Sequence, residues 1–170
     1  HKFAASPGQY VNSEGYFRML LLVCTLQQDF NICYNKDPKM RAGPVEENPS
    51  DISFYGNPRD LFVHGPTEIE RQGTCANLPV LYVAIGRRLG YPLKLVECKG
   101  HLFLRWEDAK ERFNIEGTNR GLNCFPDKEY MEWPFAISKE ELATGMYMKS
   151  LSPRRELAAF LELRVMCLKQ

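Results

Sequence analysis

Apolar positions along this chain change period several times, and each change predicts an element. After Asn12-Ser13, Phe17, Leu20, Leu21 and Cys24 recur at helical spacing toward Gln28, with Ser13 or Asn12 as the cap. The pattern then lapses. Between Asn35 and Pro66, prolines at 38, 44, 49, 58 and 66 alternate with glycines and acids, which predicts a long irregular segment. Because it leads directly into Gln72-Gly73-Thr74-Cys75, that segment is expected to wall or cover a cleft. Phe54-Tyr55 and Leu61-Phe62-Val63 are its expected anchors, with a short helix over residues 60–63. Helical spacing returns in Leu78, Tyr82, Ile85 and Leu89, and Gly90-Tyr91-Pro92 stops it.

Two hairpins follow. Leu93 to Cys98 and His101 to Trp106 are aliphatic-rich runs joined by Lys99-Gly100, the signature of a tight connection. Folding the next stretch about Asp108-Ala109 pairs Trp106 with Glu111, Leu104 with Phe113, Leu102 with Ile115 and His101 with Glu116. Strand alternation then sets Leu102, Leu104, Phe113 and Ile115 on one face, and His101, Phe103, Asn114 and Glu116 on the other. A slip of one residue would misplace one set or the other, so the pattern favours this arrangement. Residues 117–127 read as a loop. Ser138 with Glu141 forms a capping box, and Ser152-Pro153 opens a last helix whose apolar stripe is Leu157, Phe160, Leu161, Val165 and Leu168. A stripe of that kind either docks on this domain or belongs to further helices.

These elements define an α+β fold: a helix packed on a small antiparallel sheet, with helical flanks at both ends. Its 170 residues are expected to form one domain, about 1–150 as core and 151–170 as the possible first helix of a longer helical region. A net charge of +1 offers neither a nucleic-acid nor a membrane surface, and Arg87-Arg88 and Arg154-Arg155 are expected to be solvated. No apolar run is long enough for a membrane span. Six cysteines without C-x-x-C spacing point to reduced thiols in the cytoplasm and to no metal site. The chain opens on His1-Lys2 without a leader pattern, so its native start is expected to be missing or replaced.

Cys75 is the candidate nucleophile. With Thr74 as N-cap it would lie in the first helical turn, where unpaired N–H groups favour a thiolate; Pro79 could move the regular helix start a few residues later. His101 is the candidate base and Glu116 the acid that orients it, the logic of a nucleophile, base and orienter. The Cys75 N–H is the first candidate oxyanion donor and Gln72 the second, while Asn119 and Arg120 are candidate substrate contacts. His64 is the rival imidazole, and Cys98, beside the hairpin turn, the rival nucleophile.

Gly73-Thr74-Cys75, Gly90-Tyr91-Pro92, His101 at a strand start and Phe113-Asn114-Ile115-Glu116-Gly117-Thr118 resemble the transglutaminase-like, papain-like cysteine superfamily. The nearer resemblance is to a bacterial branch often followed by tetratricopeptide-like repeats. It implies a Cys75, His101, Glu116 triad forming a thioester, without a cofactor, in a protease, amidase or transglutaminase type of acyl transfer. A protein or peptide substrate is expected, a small amide is possible, and C-terminal helices could engage a protein partner. The superfamily more usually has Asp at the third position, and the extra methylene of Glu116 could loosen its hold on His101. The competing reading is a silent binding or scaffolding module on the same fold.

Overall fold

Ser13 ends the first irregular stretch because its hydroxyl accepts the Tyr16 N–H at 2.8 Å, which starts a helix at the next residue. In this computed structural model, which describes residues 2–35 and 52–169, a single turn α1 (Lys2–Ala5) and a 3-10 turn precede that helix, α2 (Glu14–Cys24). Glu111, from a distant hairpin, accepts the Gly15 N–H at 2.9 Å and the Ser13 hydroxyl, so a carboxylate sits at the positive end of α2. Met19, Leu22 and Val23 turn inward, and a π-helical turn over Thr25–Asp29 carries the path on to buried Leu26. A two-residue strand β1 (Cys33–Tyr34) follows.

The prediction for residues 36–51 lies outside the described residues. From Ile52 onward the proline-bearing segment is built of single turns: a 3-10 turn (Ile52–Tyr55), α3 (Pro58–Leu61) and α4 (His64–Thr67). The expected helix begins earlier than residue 60 because the Asn57 side chain accepts the Arg59 N–H at 3.1 Å and Pro58 takes the first helical place. β2 (Gln72–Gly73) then pairs in parallel with β1, Cys33 opposite Gln72, and α5 (Leu78–Arg88) follows.

β3 (Leu93–Cys98), β4 (His101–Glu107) and β5 (Arg112–Ile115) form one antiparallel sheet in that order. The first hairpin has the expected two-residue link, with Cys98 opposite His101 and Gly100 at a φ of +79°. The second is corrected. Leu104 faces Ile115 rather than Phe113, and Trp106 faces Phe113, a shift of two positions. The cause is Asp108, whose Oδ1 accepts the N–H groups of Lys110 and Glu111 and closes a longer turn than one folded about Asp108-Ala109.

A two-residue shift keeps every side chain on its predicted face. Leu93, Leu95, Leu104, Trp106 and Ile115 pack with α2 and α5 in the main core, with Leu102 and Phe113 partly buried against it. The other face carries a smaller cluster of Val96, Cys98, Phe103 and Tyr130, the last from α6 (Asp127–Glu132). Buried Arg105 holds α6 there, reaching Asn114 at 2.8 Å, Asp127 at 2.9 Å and the Met148 carbonyl at 3.0 Å. The capping box opens α7 (Lys139–Ala143) as expected, and Ser152 caps α8 (Pro153–Leu168). No described helix is long and apolar enough to cross a membrane.

Of the two readings of the α8 stripe, docking on this domain holds for one residue only. Phe160 packs on the core, but Leu157, Leu161, Val165 and Leu168 are 59%, 56%, 48% and 68% exposed. Arg87 grips Glu156 through two bonds of 2.9 and 2.6 Å, and Arg155 binds the Gly145 carbonyl at 2.7 Å, which fixes the rotation of the helix. Ala159, Glu162, Leu163 and Met166 consequently face a cleft. These contacts also correct the expectation that Arg87 and Arg155 are merely solvated.

Candidate active site

Pro79 occupies an early position of α5 and Asn77 is its N-cap residue, so Cys75 lies in the turn before the helix rather than in its first turn. Thr74 is therefore not the cap; it anchors the preceding turn. Its N–H donates to Asn77 Oδ1 at 2.8 Å, its hydroxyl accepts the Ala76 N–H at 3.1 Å and donates to the Asp60 carbonyl. Asn77 donates to the carbonyls of Arg59 at 2.9 Å and Phe62 at 3.2 Å. Thr74 and Asn77 are wholly buried, so this network fixes the backbone on both sides of Cys75. Gly73 is required next to it, since a Cβ there would come within 2.6 Å of Asn77 and Leu78. Among the described residues the Cys75 N–H carries no hydrogen bond.

His101 opens β4, and its ring is shared between two neighbours. Nε2 lies 2.9 Å from Glu116 Oε2, while Nδ1 is buried without a formed hydrogen bond. Cys75 and His101 line one cleft of about 240 Å³, and Cys75 is close enough to act on the ring electrostatically. Burial opposes the charged imidazole, but Cys75 and Glu116 together outweigh it and raise His101 to about 9. Trp133 meets the ring edgewise at 5.0 Å and Tyr130 lies nearly parallel to it at 6.3 Å.

Glu116 is held at both oxygens. Oε1 accepts the Thr118 N–H at 2.9 Å and the Thr118 hydroxyl at 2.6 Å, while Oε2 faces His101 and accepts the Tyr130 hydroxyl at 3.3 Å. Burial works against its charge, yet the bonds from His101 and Thr118 prevail and lower its pKa. The extra methylene does not loosen the grip on His101 here, because Thr118 fixes the far oxygen. Thr118 was legible as a hydroxyl two residues after the acid. Tyr130 and Asn77 were not, since their partners depend on how separate elements dock.

The remaining candidates lie elsewhere. Gln72 is exposed in β2 and lines a separate hollow with Asn57, Arg59 and Asp60, outside the Cys75 cleft. Asn119 borders a separate hollow of about 230 Å³ that Glu116, Phe125 and Trp133 also line, and its carbonyl accepts the Gln27 amide at 3.0 Å. Arg120 is exposed and its carbonyl accepts from Asn123 at 3.0 Å. His64 is exposed beside Phe62 and does not border the cleft. Cys98 is fully buried, and burial pushes its thiol up to about 12, which keeps it protonated. Phe54 and Tyr55 do border the cleft, as expected of the segment before Cys75. No cluster of His, Cys, Asp and Glu able to hold a metal occurs among the described residues.

A cysteine turn leading into a helix, a strand-opening histidine and an acid just past the end of the next strand form a layout that agrees with the sequence comparison. Residues 53–144 match the transglutaminase-like superfamily, and the chain belongs to it. No curated protein and no solved structure matches the chain.

Proposed function

We propose that this chain is a cysteine-dependent acyl-transfer enzyme in which Cys75 is the nucleophile, His101 the acid and base, and Glu116 the orienting acid. The observation that carries the reading is the division of the His101 ring: one nitrogen is bound to Glu116, the other is buried without a hydrogen bond, and His101 and Cys75 border one cleft. Transfer of the thiol proton to Nδ1 gives a thiolate beside an imidazolium, whose charge Glu116 stabilises. The sulfur attacks an amide carbonyl, and His101 returns the proton to the leaving amine as the C–N bond breaks. The resulting thioester is resolved by water or a second amine, whose proton His101 accepts as the thiol is restored. The Cys75 N–H is one donor for the carbonyl oxygen. A peptide or protein amide is the proposed substrate, acted on in a reducing, cytoplasmic setting that suits six free thiols.

One observation favours a second reading, a binding module without turnover: Cys75 is only 8% exposed, in a cleft it shares with Tyr55 and α8. Iodoacetamide labelling of Cys75, followed by peptide mass analysis, separates the two. The enzyme reading expects labelling well above that of an exposed cysteine such as Cys33, and a loss of about tenfold or more in His101→Ala. Labelling no faster than Cys33 and unchanged by His101→Ala would leave the module.

A further inference from the structure

The cleft at Cys75 carries negative charge that the triad does not use. Glu97, on β3, and Glu162, on the inward face of α8, border it from opposite elements. Neither side chain has a hydrogen-bond or ion-pair partner among the described residues. Arg155 offsets part of the field at Glu97, but its guanidinium is bonded to the Gly145 and Met146 carbonyls. Phe54 and Tyr55, ring centroids 5.3 Å apart and perpendicular, supply an aromatic wall. His101, whose Nδ1 is buried without a hydrogen bond, borders the same space. A carboxylate pair beside aromatic rings is a receptor for a cation.

We infer that Glu97 and Glu162 are specificity residues that select an acyl donor bearing a cationic side chain of the lysine or arginine type. The inference rests on the proposed function, since it takes this cleft to be where the donor lies. The cation belongs to the donor rather than to the attacking amine. An amine must lose its proton to attack, and two nearby carboxylates would hold that proton on. A spectator ammonium or guanidinium keeps its charge throughout and gains from the same carboxylates.

The test uses two methanethiosulfonates of similar size, each forming a mixed disulfide with Cys75 and expelling methanesulfinate. The cationic probe is 2-(trimethylammonio)ethyl methanethiosulfonate, and the anionic one is 2-sulfonatoethyl methanethiosulfonate. The rate ratio of cation to anion at Cys75 is divided by the same ratio at exposed Cys33, and iodoacetamide serves as the neutral probe. The normalised ratio is expected to be about tenfold or more in the wild type, and to fall toward one in Glu97→Gln/Glu162→Gln, each rate being divided by the iodoacetamide rate of the same protein so that a change in Cys75 reactivity itself cancels. A wild-type ratio near one, or a preference that survives the double substitution, would overturn the inference while leaving the enzyme reading intact. Failure of iodoacetamide to label Cys75 in a folded protein would instead remove the enzyme reading, and the inference with it.

Discussion

His101 Nε2 and Glu116 Oε2 stand 2.9 Å apart, with side chains 0% and 4% exposed, so the imidazole is tied to a carboxylate out of reach of solvent. In the proposed reaction that carboxylate fixes the ring so that Nδ1 is the nitrogen left for proton exchange. Glu116→Gln preserves shape but removes the charge that stabilises the imidazolium. The burst of p-nitrophenol released from p-nitrophenyl acetate, as Cys75 takes the acetyl group, is expected to slow by about 10³- to 10⁴-fold. Glu116→Asp, although closer to the superfamily's usual acid, is also expected to slow it, by about tenfold. The shorter side chain cannot hold both Thr118 and His101.

The same pair sets a pH dependence. His101 is raised from 6.5 to about 9 by Cys75 and Glu116 against the pull of burial, so its stabilising interaction is complete below 6.5 and lost as pH rises through about 9. Glu116 is lowered from 4.5, so its share is complete above 4.5 and disappears as pH falls through the lowered value. Urea midpoints measured across pH are therefore expected to be highest between about 4.5 and 6.5 and to decline on the alkaline side toward 9, to the extent set by this pair. His101→Ala is expected to flatten that alkaline decline. An undiminished decline in the variant would assign it to other groups.

The turn at Cys75 depends on Asn77. Asn77→Ala removes the acceptor of the Thr74 N–H and the donor to the Arg59 and Phe62 carbonyls, all within a buried network. A stability loss of about 2–3 kcal/mol is expected, read as a lower urea midpoint with an unchanged slope. Cys75 labelling by iodoacetamide is expected to fall in the protein that remains folded, because the backbone flanking the sulfur is no longer fixed. Normal labelling in a folded variant would show that the turn holds without this side chain.

The sequence made the two faces of the sheet legible, since alternation of apolar and polar residues from His101 to Glu116 depends only on parity. It did not make the pairing legible. That is set by Asp108 closing its turn and by Glu111 capping α2, contacts that hydrophobic pattern does not encode. Cys75 was legible as lying near a helix start, and Pro79 carried the warning that the regular helix would begin after it. Gln72 looked close to the site because it is three residues away, yet its pairing in β2 turns that stretch toward another hollow. For α8 the apolar stripe gave the helix but not its rotation, which Arg87 and Glu156 determine across 69 residues.

Arg105 joins the fold to the site and gives the last prediction. Its guanidinium, 2% exposed, binds Asn114 and Asp127, and Asp127 begins α6, the helix that brings Tyr130 to Glu116. Arg105→Ala would leave Asn114 and the Met148 carbonyl short of a donor and release the start of α6 from the sheet. Asp127 is about a third exposed, so water would recover part of the lost pairing, and the expected destabilisation is about 2–4 kcal/mol rather than the full cost of a broken buried pair. Arg105→Lys keeps the charge but cannot span three acceptors, so an intermediate loss is expected. If α6 docking positions Glu116 through Tyr130, p-nitrophenyl acetate acylation should fall in Arg105→Ala at temperatures where the protein is folded, and Tyr130→Phe should reproduce a smaller part of that fall. An acylation rate equal to wild type in folded Arg105→Ala would confine Arg105 to stability alone.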